Sequence, residues 1–208
     1  MPQILKDEVR ERIVDAAREE FLTRSYEHSS MRSIALKSHM TVGNLYRYFT
    51  SKEELNRFIV GPTLNRINTL IMKLTGNRVS LESSGELSLD PSQLEGMLDS
   101  LGDGLVDIYQ TNRMEVNILM MRSALNEQLV SWFAEVIAQI ISNHSQIPNN
   151  DTLKLLSHSY AVSIFEGIKY MLRETDMEPE ELRKALKTYM KSYVHMLDAK
   201  LLKEGMNG

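Results

Sequence analysis

A short predicted helix between residues 42 and 49 carries the residues best suited to a chemical role, namely Asn44, Tyr46, Arg47 and Tyr48. An asparagine amide pairs with adenine through a donor and an acceptor together, and arginine binds guanine or phosphate. Tyrosine hydroxyls donate to phosphate oxygens. Leu45 and Phe49 lie four residues apart, so we expect both to point inward. The pattern therefore predicts a helix whose polar side enters the major groove of DNA.

The neighbouring residues predict the turn and the helices that hold this segment. Thr41 is placed to cap the short helix, and His39 lies at a tight turn before it. The preceding helix, residues 31–38, is expected to bury Ile34 and Ala35. A capping-box pattern at Ser51 and Glu54 starts the next helix. Three short helices of this kind, the last pair joined by a tight turn, are typical of a helix-turn-helix unit.

Further residues around the short helix are candidates for contact with DNA. Gly43 lets the backbone approach a sugar-phosphate strand, and Lys52 adds charge at a helix start that already favours anions. Arg32 and the serines near it could touch phosphate, although capping explains the serines equally well. The complete predicted DNA-binding set is Ser30, Arg32, Thr41, Val42, Gly43, Asn44, Tyr46, Arg47, Tyr48 and Lys52.

The charge distribution favours the same segment, although the chain as a whole has a net charge of −4. Residues 28–52 contain no Asp or Glu and include the cations Arg32, Lys37, Arg47 and Lys52. With 28 acids in 208 residues, a window of that length should hold about three. Phosphate attraction is local, so an acid-free segment suits a surface that faces the DNA backbone.

Composition and motifs argue against an enzyme or a metalloprotein. The chain has no cysteine, and its five histidines show no zinc-ligand spacing. Neither a glycine-rich phosphate loop nor a nucleophile elbow is present. We therefore expect no catalytic residue, no metal and no cofactor. Acids in the first eight residues and the lack of a long apolar run predict a cytoplasmic protein with no membrane segment.

Residues from about Val9 to Leu55 resemble the DNA-binding domain of the TetR/AcrR family of bacterial regulators. The residues that carry the resemblance, which covers roughly a quarter of the chain, are Ile13, Ala16, Ala17, Phe21, 31–35, 41–49 and 51–55. Two positions depart from it, because the family commonly has glycine at Ser25 and Ala-Gly-Val in place of Ser38-His39-Met40. Glycine adopts positive φ freely, and histidine tolerates it better than most residues.

The rest of the chain predicts an all-α fold of about nine helices, without an internal repeat. We expect a helix-turn-helix DNA-binding domain at residues 1–55 and a larger helical ligand-binding and dimerisation domain at residues 56–208. Gly61-Pro62 interrupts the helical pattern after Leu55, because proline kinks or ends a helix. The break could be a hinge or have no mechanical role. Residues 75–90 are rich in turn-forming residues and predict a surface loop.

The resemblance implies a ligand pocket and a dimer interface in the larger domain. Methionines and aromatic residues could line the pocket, and Glu166 could supply an acid for a cationic ligand or point to solvent. The predicted lining residues are Leu101, Tyr109, Met120, Met121, Trp132, Phe133, Phe165 and Glu166. The last two helices are predicted to pair with a second copy, through Tyr160, Ile164, Ile168, Tyr189, Tyr193 and Leu197, or else to complete a monomeric bundle.

These features together predict a ligand-responsive transcriptional regulator, most simply a repressor. We expect a homodimer to bind a palindromic operator in double-stranded DNA and to be released by a small-molecule effector. The alternative is an architectural or interaction protein that binds DNA and is controlled by a protein partner. An enclosed apolar cavity would favour the first, and a solidly packed core the second.

Overall fold

The computed structural model describes residues 3–76, 79–80, 83–84, 91–145, 150–173 and 177–196. These residues form nine helices: α1 Gln3–His28, α2 Met31–Lys37, α3 Val42–Tyr46, α4 Lys52–Leu74, α5 Pro91–Thr111, α6 Arg113–Met120, α7 Ser123–Ser145, α8 Asp151–Arg173 and α9 Pro179–Met196. The prediction of an all-helical fold is confirmed. None of the described helices is long and apolar enough to cross a membrane.

The chain divides into two compact units, and the division does not follow the chain order. The first unit contains residues 1–65 together with residues 112–126, and the second contains residues 66–111 and 127–208. Helix α6 therefore belongs to the same unit as α1, α2 and α3, which sequence periodicity did not indicate. The boundary predicted between residues 55 and 56 stays a prediction.

The first unit is built around apolar side chains from α1 to α4. Phe21, Ile34, Leu45 and Leu55 are all completely buried. Ala35 is also buried, and its small side chain lies on α2, which packs against both α1 and α3. The inward positions predicted for α1 to α3 thus form one core, and their spacing at three and four residues is what an amphipathic helix requires.

Helix α4 continues through Pro62, whereas the sequence predicted an interruption at Gly61-Pro62. The helix extends from Lys52 to Leu74 with proline inside it. Proline costs one backbone hydrogen bond, and the helix around it is anchored by Ile59, Val60 and Thr63, which are buried. The expectation of a break is therefore wrong, and the hinge hypothesis remains untested.

The second unit contains two apolar clusters on different faces of α7. One joins α7 to α8 and α9 and includes Val130, Ile141, Leu153 and Ile164. The other joins α7 to α5 and to the end of α4; its members are Leu94, Val136, Ile140, Ile71, Met97, Leu98 and Trp132. Helix α7 is thus apolar on two sides, as expected of a helix enclosed by neighbours.

Acidic residues at four-residue intervals on α5 face basic residues on α9. Asp99 Oδ2 lies 2.7 Å from Lys191 Nζ, and Asp103 Oδ1 lies 2.6 Å from Lys187 Nζ. Asp107 Oδ1 accepts a 2.6 Å hydrogen bond from Arg183, whose pKa it raises. We call these residues the α5/α9 ion-pair ladder, which fixes the register of the two helices.

Helix α5 tolerates Gly104 in its middle because a neighbour occupies the space of a side chain. A Cβ at Gly104 would overlap the Leu70 side chain of α4. The predicted surface loop at residues 75–90 lies mostly outside the described residues. Within it, Val79–Ser80 and Ser83–Ser84 form a two-residue antiparallel pair that the sequence did not predict.

Candidate nucleic-acid interface

The turn between α2 and α3 is closed by backbone hydrogen bonds and side-chain caps. Met40 N donates to Ala35 O at 2.8 Å, and this bond closes the turn that follows α2. Thr41 Oγ1 accepts a 3.2 Å bond from Asn44 N and so caps α3. Ser30 caps α2 in the same way and forms a capping box with Ser33. Two predicted DNA-binding residues, Ser30 and Thr41, thus satisfy free N–H groups at helix starts.

The start of α4 is also capped, by a modified form of the predicted box. Ser51 Oγ accepts a 3.1 Å hydrogen bond from Glu54 N. The Glu54 carboxylate reaches back to Thr50 instead of Ser51, and accepts from both its N–H and its hydroxyl at 2.6 Å. These two bonds lower the pKa of Glu54.

Two residues of the first unit, Ser25 in α1 and His39 after α2, adopt positive φ without being glycine. Both lie where the sequence departs from the family that it resembles. His39 has φ 54° and Ser25 has φ 62°, ψ 164°. The Ser25 conformation is almost restricted to glycine and costs about 1–3 kcal/mol. It bends α1 at this residue, so the last turn of α1 follows the bend and carries Tyr26.

The outer side of α3 presents the predicted groove-reading residues to solvent. Asn44 and Arg47 are exposed, and Tyr46 is 47% exposed. Tyr48 and Val42 are half-buried, whereas Leu45 and Phe49 lie in the core. A Cβ at Gly43 would meet nothing within 4 Å. Packing inside the protein therefore does not require glycine at position 43. The absence of a side chain leaves the backbone accessible from outside.

The four cations of the acid-free segment fall into two groups. Arg32 and Arg47 are exposed, and no acid pairs with either guanidinium among the described residues. Lys37 instead contacts Glu19 at 2.6 Å and Glu20 at 3.3 Å, and the hydrogen bond from Glu19 is the main cause of its raised pKa. Lys52 donates to two backbone carbonyls, those of Tyr26 at 2.7 Å and Ser29 at 3.0 Å.

The Lys52 contacts alter the role predicted for this residue. Its ammonium group also lies 4.4 Å from the centre of the Tyr26 ring. With two carbonyls and a ring around it, Lys52 joins the last turn of α1 to the start of α4. Its predicted contact with DNA phosphate stays untested, while Arg32 and Arg47 are the cations left available.

Tyr26 is the centre of a group of contacts between separate parts of the first unit. Its hydroxyl donates to Glu53 Oε1 at 2.9 Å, and its ring lies 5.6 Å from that of Phe21. The Arg122 guanidinium carbon lies 4.6 Å from the ring centre. Burial, and then the hydrogen bond to Glu53, raise the pKa of Tyr26 to about 12. The electron-rich π system of the ring attracts the cations of Lys52 and Arg122.

Helix α6 is attached to α1 by a second, well-shielded contact. Arg18 Nη2 lies 2.7 Å from Glu115 Oε1, and the Glu115 side chain is only 11% exposed. Removing one partner of such a pair leaves an uncompensated charge. Two residues therefore hold this segment against α1. They are Glu115, within α6, and Arg122, which follows α6.

The predicted pocket residues do not come together at one place. Met120 and Met121 fall in the first unit, and the other six fall in the second. Trp132 packs in the cluster with α5, whereas Phe133 and Phe165 pack in the cluster with α8. Leu101 is half-buried and Tyr109 is buried. Glu166 is 60% exposed and pairs with Lys169 at 2.8 Å, so the hypothesis of a buried acid is wrong for this residue.

The described residues among those predicted for the dimer interface pack within their own unit, and all of them except Ile164 remain half-buried, so the predicted interface stays a prediction. Ile164 is buried in the α7/α8 cluster, and Tyr160, Ile168 and Tyr193 pack against it. Tyr189 donates to Ser163 O at 2.6 Å and fills the space above Gly167. Leu197 lies outside the described residues. The apolar sides of α8 and α9 were identified from sequence, but periodicity alone does not distinguish a core from an interface between subunits.

The outward side of α8 carries apolar residues that the sequence analysis did not select. Leu155 is 70% exposed, Val162 39% and Tyr170 69%. Their spacing places them on one side of the helix. Among the described residues no three His, Cys, Asp or Glu side chains are grouped to hold a metal ion.

Comparison with known proteins supports the helix-turn-helix assignment independently of this geometry. Residues 13–57 match the family model described as bacterial regulatory proteins, tetR family. Over 106 residues the chain is 29% identical to an uncharacterized HTH-type transcriptional regulator of Bacillus subtilis, YfiR. The match covers 51% of this chain and 47% of the relative, so the chain spans about half the length of that protein.

Solved structures extend the similarity to the whole fold. A transcriptional regulator from Aquifex aeolicus superposes with a TM-score of 0.52 at 18% identity, and the match covers 89% of this chain and 99% of that one. A TetR-like regulator from Rhodococcus gives 0.51 at 18% identity, covering 91% and 95%. At this identity the likeness shows the fold alone. The family model matches the helix-turn-helix segment itself, so residues 13–57 carry the sequence pattern of the tetR family of bacterial regulatory proteins.

Proposed function

We propose that the protein is a ligand-controlled repressor that binds a palindromic operator as a homodimer. The observation that carries the proposal is the outer side of α3, where Asn44, Tyr46 and Arg47 are exposed together. Asparagine and arginine are the residues that read adenine and guanine in the major groove. Arg32 at the start of α2 adds an exposed cation that has no acidic partner in the part of the chain that the structure describes, in a position suited to phosphate.

Helix α3 is short, at five residues, and a single helix of this length reads few base pairs. A two-fold dimer presents two such helices to half-sites about one helical turn apart. We assign the pairing surface to the exposed side of α8, around Leu155, Val162 and Tyr170, because an isolated apolar stripe in water is unfavourable.

Effector control in this proposal acts through α6. Within the first unit, α6 is fixed to α1 by Arg18–Glu115 and to Tyr26 by Arg122. Along the chain, α6 follows α5 directly and is followed within a few residues by α7. A ligand that binds the second unit and favours one arrangement of α5 and α7 would therefore act on both ends of α6. Such a ligand works only through its different affinity for the two states.

Selection of bound fragments from random DNA tests the proposed function. We expect enrichment of a palindrome whose half-site centres lie about 10 base pairs apart. Affinity for it should fall steeply with salt, because each neutralised phosphate releases counterions. Failure to enrich any sequence would contradict the proposal. Enrichment without two-fold symmetry, or binding that no small molecule relieves, would favour an architectural protein.

Dimerisation through α8 is tested separately by sedimentation. The double variant Leu155→Glu/Tyr170→Glu places charge in the stripe, so we expect it to sediment as a monomer at micromolar concentration while the wild type sediments as a dimer. Ser131→Glu adds a charge to an exposed position of α7 outside the stripe, so this control should remain a dimer. A double variant that remains fully dimeric with unchanged helicity would refute this surface.

A further inference from the structure

His39 occupies the turn between α2 and α3 in a left-handed conformation that glycine adopts far more easily. Its φ is 54°. Its N–H donates to Leu36 O at 3.1 Å, and Met40 N donates to Ala35 O at 2.8 Å. These two bonds form a Schellman motif, which ends a helix with one residue at positive φ. The turn therefore requires this conformation at position 39, and a side chain there costs conformational stability.

The imidazole of His39 gains no contact within the protein that would offset this cost. The residue is exposed, and its ring forms no hydrogen bond or ion pair with the part of the chain that the structure describes. Ser25, the other strained residue, differs because its hydroxyl lies 3.2 Å from His28 Nδ1. Strained residues cluster at functional sites, where the strain positions a side chain for a ligand. A contact that explains the histidine would therefore lie outside the chain.

The position of His39 in the chain places it beside the proposed DNA contacts. Thr41, which caps α3, follows two residues later, and the open backbone at Gly43 follows two residues after that. In helix-turn-helix proteins the first helix crosses the DNA backbone and the second helix enters the major groove. The turn that joins the two helices consequently passes the edge of the groove, where the phosphates lie.

The charges around the turn favour a phosphate as the partner of His39. Residues 28–52 contain no acid. On α1, which packs against α2, the acids Glu19 and Glu20 are both paired with Lys37. A histidine ring carries at least one N–H donor in either protonation state. The ring can therefore donate to a phosphate oxygen without competition from a neighbouring carboxylate.

We propose that the imidazole of His39 donates a hydrogen bond to a DNA phosphate at the edge of the major groove. The proposal rests on the proposed function, in which α3 enters that groove, and it adds a contact from the turn that precedes α3. Such a contact reads no base and fixes the orientation of α3 on the duplex. Because the turn sets the backbone of His39 before DNA binds, less ordering is required on binding.

Replacement by glycine separates stability from DNA binding, because a merely structural role would change both together. His39→Gly relieves the left-handed conformation, so the full-length variant should unfold at the wild-type temperature or a few degrees above it. Its affinity for the operator selected from random DNA should fall about fivefold to thirtyfold, since a dimer loses the hydrogen bond twice. Thermal unfolding and fluorescence anisotropy measure the two quantities.

Two further variants are matched controls. Ser25→Gly relieves the other strained residue, which lies in α1 and outside the turn, so operator affinity should remain that of the wild type. His39→Asn keeps an N–H donor on a residue that tolerates positive φ. It should therefore retain more affinity than His39→Gly.

Neutral phosphates identify the contact directly. Operators that carry a single methylphosphonate, placed in turn at each position of a half-site, are compared for the wild type and His39→Gly. We expect one position at which the methylphosphonate weakens binding of the wild type and leaves binding of His39→Gly unchanged. At every other position the two proteins should respond alike.

Two results would overturn the proposal. One is a His39→Gly variant that binds the selected operator as tightly as the wild type. The other is an identical methylphosphonate pattern for both proteins. Either result, obtained with a wild type that binds its operator, refutes the His39 contact alone. A wild type that enriches no DNA sequence refutes the proposed function itself.

Discussion

The double variant Tyr46→Ala/Arg47→Ala should lose operator binding by at least about 30-fold while keeping its helical content. A bidentate arginine contact is worth about 1–3 kcal/mol, and a dimer loses it twice. Both side chains are exposed, and Leu45 just before them forms the core contact of α3. The fold should therefore survive the loss of the outer side chains. Fluorescence anisotropy with the selected operator, together with circular dichroism, measures both quantities.

The matched control is Arg173→Ala, which removes an exposed arginine from the last turn of α8. It changes net charge by the same amount but lies in the second unit, so affinity should remain within about twofold of the wild type. Arg47→Ala alone should also reduce the salt dependence of binding if the guanidinium contacts phosphate. Unchanged affinity in the double variant would contradict the assignment of α3 to the groove.

Replacing Tyr26 by alanine should destabilise the first unit by about 2–4 kcal/mol, because it removes a ring that contacts Phe21, Lys52 and Arg122 together. Tyr26→Phe keeps the ring and loses only the hydrogen bond to Glu53, so it should cost about 1 kcal/mol or less. Urea unfolding of the full chain, followed by circular dichroism, compares the two. Equal losses would show that the hydroxyl, and not the ring, holds the cluster.

The same pair of variants predicts a pH dependence with a definite sign. The pKa of Tyr26 is raised to about 12 in the folded protein, against about 10 in an unfolded chain. The folded state therefore holds the proton more tightly. The stabilisation is complete below pH 10 and is lost as pH rises from about 10 to 12. Tyr26→Phe should lack this loss, so the stability of the wild type should fall more steeply than that of the variant above pH 10. Parallel pH profiles would contradict the shift.

Sequence patterns were sufficient for most local features of the DNA-binding unit. The inward residues of α1 to α3 follow from helical spacing, and the caps at Ser30 and Thr41 follow from residue type. His39 was identified as a difficult turn residue, and its φ is indeed positive. Each of these features depends on residues close together in the chain, where spacing determines what a side chain faces.

Features that depend on distant residues could not be obtained in this way. The sequence predicted a DNA contact for Lys52 and counted Lys37 among the cations of the acid-free segment. Both have partners on α1, 18 residues away for Lys37 and 26 for Lys52. Likewise, Ile164 and Tyr189 look equally suited to a core or to an interface. Tyr189 packs over Gly167 within its own unit, and a local pattern does not contain that information.

The discontinuity of the first unit has a consequence for how the protein is made. The helices of residues 3–65 leave the ribosome well before α6, which begins at Arg113, and synthesis proceeds at about 5–20 residues per second. During that interval Arg18 has no Glu115, and Tyr26 has no Arg122 beside its ring. The nascent DNA-binding helices thus remain incomplete until the inserted segment has been synthesised. Completion of the first unit is thereby coupled in time to synthesis of α5, so the protein acquires its complete first unit only after part of its second unit exists.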